Sequence, residues 1–268
     1  MARELPPLDV LLPLDRAGST LAPEPGEPAL HALYAHPAPR PGRTTAVRGN
    51  MIATLDGAAQ GPDGRSRSIN GPADWRVFRV MRAVADVVLV GAGTARAEGY
   101  TPLTVPADLR AARADRGQAP DLELALVTAS GAVPPGLLGT DRPPYVVTTE
   151  ACPRLDELRA ELGDDRVLVA GTDAVDLPAA LDALAARGLT RVLAEGGPRL
   201  LTDLVRADLV DELCLTTSPL LVAGPGLRAV QGAEWIHPRR ATAAHLLHHD
   251  GMLLGRWHLA GGTGEADG

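Results

Sequence analysis

Three glycine-containing turns carry most of the chemistry this sequence can offer: Val90-Gly91-Ala92-Gly93-Thr94, Ala194-Glu195-Gly196-Gly197-Pro198 and Ala53-Thr54-Leu55-Asp56-Gly57. Each follows an apolar, β-branched run. Glycine lets a backbone approach a phosphate closely, and a helix beginning beyond such a turn offers free amides and a positive dipole end. Pro198 opens a helical stretch directly after Gly196-Gly197, so the second turn has the parts of a pyrophosphate site. Glu195 would repel a phosphate there unless it faces a different ligand; it also fits as a carboxylate at a helix terminus. Asp56 suits polar substrate groups or an ordinary Asp-Gly turn. The Gly91-Ala92-Gly93 turn lacks the third glycine of the dinucleotide fingerprint and is equally consistent with a tight connection. Together the turns set anion-binding groups at several strand ends, which favours a nucleotide-binding enzyme over a scaffold.

Other chemistries are excluded by composition. All 26 basic residues of this 268-residue chain are arginine, so neither Schiff-base catalysis nor a Walker lysine is available. With 33 acidic residues the net charge is −7, and aromatics are only 3%, which argues against nucleic-acid binding. Cys152 and Cys214 have no ligand-like spacing, so we expect neither disulfide nor zinc, and a reducing compartment. His245, His248 and His249 read as a solvated strand edge rather than a metal site. No nucleophile elbow is present. The N-terminus lacks the unbroken apolar stretch of a signal peptide, and the apolar run from Val84 to Val90 is interrupted by Asp86. The expectation is a cytoplasmic protein that does not enter membranes.

The elements that position these residues alternate in type. Residues 1–45 are proline-rich without a period and read as an arm over the surface, with a short helix at Leu30–Tyr34. Unalternating apolar runs predict buried strands at Ala46–Thr54, Asp86–Val90, Leu122–Thr128, Tyr145–Thr149, Arg166–Ala170 and Arg191–Glu195. Helices are predicted at Pro72–Val84, Arg154–Leu162, Pro178–Arg187 and Pro198–Ala207. Val210–Thr217, Ala241–His248 and Met252–Leu259 follow without helices between them, the last two joined by the turn His249-Asp250-Gly251. This predicts an α/β fold: a mainly parallel central sheet, helices on both faces and antiparallel C-terminal strands. One domain over residues 46–260 follows the arm, and residues 261–268 form a flexible tail.

In order and spacing, Thr54-Leu55-Asp56-Gly57, Arg82, Val90-Gly91-Ala92-Gly93-Thr94, Glu195-Gly196-Gly197-Pro198 and Leu209-Val210-Asp211-Glu212-Leu213 resemble the riboflavin-biosynthesis pyrimidine reductases. Ser218-Pro219-Leu220-Leu221-Val222-Ala223-Gly224 adds to the resemblance, which covers roughly residues 45 to 260. That family includes the reductase half of the bifunctional deaminase-reductase. The resemblance implies a dihydrofolate-reductase-like fold in stand-alone form, since no deaminase zinc signature precedes it, and a homodimer. It implies NADPH as hydride donor and reduction of 5-amino-6-(5-phosphoribosylamino)uracil to its ribitylamino product. On the cofactor side it implies Ile52 and Ala53 beside the nicotinamide, Thr94 with Gly91 and Gly93 at the phosphates, and Glu98 nearby. Gly196, Gly197, Pro198, Arg199, Leu200 and Leu201 would cradle the pyrophosphate, and Thr128 and Ser130 the adenosine ribose and its phosphate. On the substrate side it implies Arg82 on the sugar phosphate, Ser66 as a second contact and Glu195 on the pyrimidine. Asp56 or water would supply a proton.

Two cations common in the resembled family are missing. Ala58 follows Leu55-Asp56-Gly57 where many members carry Lys or Arg, and Glu98-Gly99-Tyr100 replaces an Asp-Asp-Pro type sequence. A further phosphate-binding arginine downstream has no match. The residues therefore also suit an NADPH-dependent reductase of another heterocycle, such as dihydrofolate or a dihydropteridine. A non-catalytic NADPH-binding regulatory protein is a third reading, against which Asp56, Arg82 and Glu195 argue.

Overall fold

The β-branched runs form the middle of an eleven-stranded sheet in a computed structural model that describes residues 5–261. β1 (Leu8–Leu12), β2 (Thr20–Leu21) and α1 (Pro28–Leu33) come first; β3 (Ala46–Thr54) then leads through α2 (Pro72–Val84) to β4 (Val87–Gly91). α3 (Ala92–Glu98) and α4 (Ala107–Ala114) separate β4 from β5 (Glu123–Val127). β6 (Tyr145–Thr148), α5 (Leu155–Leu162), β7 (Val167–Val169), α6 (Leu177–Ala185), β8 (Arg191–Ala194) and α7 (Pro198–Arg206) continue the alternation. β9 (Glu212–Ser218), β10 (Ala241–His249) and β11 (Met252–Leu259) end it.

Across the sheet the order is β2-β1-β10-β11-β9-β3-β8-β4-β5-β6-β7. The seven strands from β9 to β7 run parallel, and the other four are antiparallel. Val88, Val90, Leu124, Leu126 and Leu193 pack into one core with α2, α4 and α5; Val87, Leu89, Ala125, Val192 and Ala194 pack into the other with α6 and α7. Burial on both faces is why these strands read as unbroken apolar runs. The chain leaves β3 for β4 and later returns to insert β8 between them. Crossovers therefore diverge at β3, β8 and β4, and their carboxyl ends open into a crevice.

The N-terminal segment departs from the expected arm. β1 pairs antiparallel with β10 and turns Leu8 and Val10 inward, both essentially inaccessible. Five residues between prolines are too short a run to show their alternation. Arg76, fully buried on α2, fixes the segment: it donates to both oxygens of Glu27 at 2.8 and 2.6 Å and to the carbonyls of Pro6, Leu21 and Ala22. Arg113 likewise serves the carbonyls of Ala83, Ala85, Ala119 and Asp121. A planar guanidinium with five donors can satisfy such a set, whereas an ammonium offers three from one point.

Two further differences concern histidine and glycine. β10 is an interior strand, and His245 is 2% exposed against the Tyr34 ring, with centroids 4.6 Å apart. Burial, then the Arg256 and Arg48 charges, hold its pKa to about 3, so it is a neutral core residue and not part of a solvated edge. α3 escapes the sequence pattern because Gly93 lies inside it and Gly99, at φ +72°, ends it. Residues 262–268 of the expected tail lie outside the described residues. Among the described residues no helix is long and apolar enough to cross a membrane.

Replacing Arg76 by Ala leaves Glu27 buried and unpaired, and the expected loss of stability in urea unfolding is about 3–5 kcal/mol. Arg76→Lys should recover only part of it. Full recovery by lysine would show that charge alone holds the segment.

Candidate active site

The carboxyl ends of β3, β8 and β4 border a cavity of about 700 Å³. One wall comes from α2, whose Asp74, Phe78 and Arg82 recur every four residues and so share a face along roughly 12 Å of helix. Asn50 and Ile52 of β3 and Tyr100, beyond α3, complete that side. Gly197, Pro198, Arg199 and Leu200, at the start of α7, form the other.

Glu195 is the centre of the α2 side. Arg82 donates to it through Nε and Nη2, both at 2.7 Å, and the Tyr100 hydroxyl donates to Oε2 at 2.5 Å. The Arg82 guanidinium also lies over the Phe78 ring, 4.2 Å from its centroid. Burial opposes the Arg82 charge, but the Glu195 carboxylate outweighs it and keeps the guanidinium ionised. Burial and the same carboxylate push the Tyr100 hydroxyl well above its usual value, so it stays a donor. The carboxamide oxygens of Asn50 and Asn70 are buried without a partner among the described residues, and both residues line the cavity. Unsatisfied buried acceptors carry a free-energy cost of about 1–3 kcal/mol each, which a ligand with N–H or O–H groups would remove.

The glycine turns build the opposite side. The Gly91 amide donates to the Gly196 carbonyl at 2.9 Å, which locks the ends of β4 and β8 together. A Cβ on Gly197 would lie 2.3 Å from Thr94 Oγ1, so the two turns are in contact. A Cβ on Gly93 would meet nothing within 4 Å, because that backbone borders open space. The first helical hydrogen bond of α7 runs from Leu201 to the Gly197 carbonyl, leaving the Arg199 and Leu200 amides without an intrahelical acceptor. Open space beside glycine, two free amides and the dipole of a nine-residue helix fit a pyrophosphate.

Twelve of the expected residues line the cavity: Ile52, Ser66, Arg82, Gly91, Gly93, Thr94, Glu98, Glu195, Gly197, Pro198, Arg199 and Leu200. Others do not. Ala53 does not line it, so only Ile52 of that pair can reach a ring there. Leu201 is fully buried in the α6–α7 core, with Cδ1 against Gly49, and cannot touch a cofactor. Gly196, at φ +91°, supplies the tie to Gly91 and is itself buried. Thr128 and Ser130 sit beyond β5, hydroxyls 3.3 Å apart, outside the cavity.

Asp56 also lies outside the cavity, on an exposed turn. Its carboxylate accepts from the Thr54 hydroxyl and from the Ala223 and Val222 amides, at 2.6 and 3.2 Å for the amides. Those donors, Thr54 foremost, hold it below its usual pKa. It is a brace for the 222–223 loop, not a proton source. Two other expected site residues make contacts within the protein as well. Arg82 spends Nε and Nη2 on Glu195, so residues assigned to opposite ends of a substrate form one unit. Glu98 accepts the Ser66 amide at 2.8 Å and holds the 66–68 turn at the cavity wall.

The position of the absent cation is closely packed. Ala58 is buried, and Gly226 packs so close to it that a Cβ on Gly226 would lie 2.9 Å from the Ala58 Cβ. Arg67 and Arg199 bring charge to the cavity, both exposed and neither in an ion pair with another of the described residues. Sequence reasoning missed Arg67, Tyr100, Asp74, Phe78 and Asn50. The four-residue spacing of Asp74, Phe78 and Arg82 within an expected helix was the available signal.

Residues 45–254 match the family model described as the RibD C-terminal domain. The chain belongs to that family. A 2,5-diamino-6-ribosylamino-4(3H)-pyrimidinone 5′-phosphate reductase of Methanothermobacter thermautotrophicus is 31% identical over 191 residues, 70% of this chain and 83% of that one. The reductase of the same name from Archaeoglobus fulgidus is 28% identical over 177 residues, 65% and 80% of the two chains. The crystal structure of a pyrimidine reductase-like protein from Corynebacterium diphtheriae superposes with a TM-score of 0.71 at 25% identity, covering 81% of this chain and 92% of that one. A mainly parallel sheet with helices on both faces and antiparallel C-terminal strands, shared with that pyrimidine reductase-like protein, is thus the fold of this RibD-family chain.

Arg82→Ala should lower stability by about 3 kcal/mol or more, because it strands the buried Glu195 charge. The double variant Arg82→Met with Glu195→Leu should regain most of that loss in urea unfolding. An Arg82→Ala cost below about 1 kcal/mol would mean that the pair is screened like a surface salt bridge.

Proposed function

We propose that this chain is an NADPH-dependent reductase of riboflavin biosynthesis, converting the ribosylamino group of a pyrimidine 5′-phosphate into a ribitylamino group. The observation that carries the proposal is the single cavity in which the Arg82–Glu195–Tyr100 unit faces the glycine-turn cradle. The substrate named for the relatives above, 2,5-diamino-6-ribosylamino-4(3H)-pyrimidinone 5′-phosphate, is our first choice. 5-Amino-6-(5-phosphoribosylamino)uracil is the second.

The residues present fit the cofactor. Gly197, Arg199 and Leu200 would hold its pyrophosphate, Thr94 and Gly93 the neighbouring phosphate oxygens, and Ile52 the face of its ring. When bound, a reduced nicotinamide supplies the hydride. Everything else is positioning by this chain, which for a well-oriented pair of reactants accounts for several kcal/mol of barrier. Glu195, fixed by three donors, keeps acceptor capacity on Oε1 for a pyrimidine N–H. Asn50 and Asn70 accept from amino or hydroxyl groups, and Arg67 with Ser66 receives the sugar phosphate. The buried free thiols Cys152 and Cys214 suit a reducing cytoplasm. Exposed Leu55, Leu220, Leu221 and Trp235 offer apolar surface that a second copy would cover in a homodimer. Analytical ultracentrifugation should give twice the chain mass; a monomer at micromolar concentration contradicts that.

Consumption of NADPH with either pyrimidine phosphate, but not with dihydrofolate, is the expected assay result. Reduction of dihydrofolate alone, or tight NADPH binding without turnover, would overturn it. Arg67→Ala should raise KM for the phosphorylated substrate roughly 10- to 100-fold, the equivalent of about 1.5–3 kcal/mol for a charge-assisted contact, with kcat nearly unchanged. Gly197→Val should abolish NADPH binding in titration calorimetry by filling the cradle. Unchanged binding would remove the cradle from the cofactor site.

A further inference from the structure

One acid on the cavity wall is used neither by the cofactor cradle nor by Glu195. Asp74, at the third position of α2, is 6% exposed and lines the cavity. Its Oδ1 accepts the Thr216 hydroxyl at 2.5 Å, while Oδ2 accepts no hydrogen bond from the described residues. Thr216 on β9 pairs directly with Ile52 on β3, so the carboxyl lies beside the strand end assigned to the nicotinamide. A structural carboxylate in the first turn of a helix would turn to the helix amides or to a cation. This one turns to a hydroxyl across the sheet.

Among the described residues Asp74 has no counter-ion, because the cations nearest it in the fold are bound elsewhere. On α2 itself, Arg76 is bound to Glu27 and Arg82 to Glu195. From β3, Arg48 is bound to Glu212 of β9, which also holds Arg256 of β11. Three more groups are neutral. Burial pushes the Cys214 thiol of β9 up to about 11 and Tyr34, at the end of α1, well above its usual value. His245 of β10 is uncharged, as described above. Burial therefore raises the Asp74 pKa to about 6, against the Thr216 hydroxyl, which lowers it. A carboxyl with this value exchanges a proton near neutrality, as a general acid must.

We propose that Asp74 is the proton donor of the reduction, passing the proton on Oδ2 to the nitrogen of the substrate's open-chain imine. This rests on the reductase reading above. In the step, the sugar's first carbon gains a hydride from a reduced nicotinamide and the C=N π pair moves onto nitrogen. Nitrogen then forms its N–H bond with the Asp74 proton, leaving an amine, an oxidised nicotinamide and a carboxylate that solvent reprotonates. The acid form is the active one, so kcat/KM falls as pH rises through the Asp74 pKa.

Asp74→Asn, nearly isosteric and able to keep the Thr216 contact, should lower kcat roughly 10²- to 10⁴-fold, flatten that limb of the pH profile and leave the NADPH Kd within about twofold. Thr216→Val removes the hydroxyl that favours the carboxylate, so the limb should move to higher pH. A substrate-independent readout is the carbon-detected NMR titration of the aspartate carboxyls in the protein with bound NADP⁺, Asp74 being assigned by its loss in Asp74→Asn. We expect a midpoint near or above 6. A midpoint near the ordinary 3.8 overturns the proposal, as does an Asp74→Asn variant with the parent's kcat and pH profile. If the parent protein reduces neither pyrimidine, the reductase reading fails, and the titration still decides whether Asp74 exchanges a proton at the required pH.

Discussion

The bidentate pairing of Arg82 with Glu195 is the constraint from which the rest of the site follows. It joins the last turn of α2 to the residue after β8 across the mouth of the crevice, and Tyr100 ties in the segment beyond α3. No apolar contact would fix these three elements with the same directionality. Taking two ions out of water costs several kcal/mol each, and only good geometry with satisfied donors offsets that. Here both Glu195 oxygens are engaged and Phe78 covers the guanidinium, so the cavity wall is polar yet close to neutral. A carboxylate fixed in this way presents its remaining acceptor capacity in one direction, as a site for an N–H-bearing ring requires.

The sheet divides the labour. The α2 side of the cavity carries Asn50, Ile52, Asp74, Arg82 and Glu195, a set of hydrogen-bonding groups with one apolar platform. Residues at the start of α7 offer backbone amides, glycine and a helix dipole. On the proposed function, heterocycle and phosphates would meet at the strand ends without sharing side chains. Glu195 can sit one residue before Gly196 and escape repulsion because its carboxylate is turned to Arg82 and Tyr100 and neutralised there. Arg67 and Arg199 are exposed where they line the cavity, so phosphates there could keep part of their hydration.

Much of this was legible in the sequence. β3 and α2 begin and end where apolar runs and first-turn proline put them, and the glycine turns announce the crevice. β1 was not legible, because five residues between prolines carry no period; its place depends on Arg76, seventy residues distant from Pro6. Arg82 and Glu195 were both recognised, but their union was not, since 113 residues separate them and only the sheet order brings them together. Asp74 went unnoticed because an acid in the first turn of a helix is ordinary; only its burial and its turn toward Thr216 set it apart. Ala58 read as a lost cation, whereas it is a buried residue packed closely against Gly226, a contact between residues far apart in sequence.

A crystal structure with NADP⁺ and the ribitylaminopyrimidine phosphate product bound together would show which groups each side of the cavity holds. The account expects the pyrophosphate on the Arg199 and Leu200 amides beside Gly197, and the nicotinamide against Ile52. It expects the pyrimidine on Glu195, with the Arg82 pair intact. A cofactor lodged away from the glycine turns, or a product phosphate that displaces Glu195 from Arg82, would contradict it.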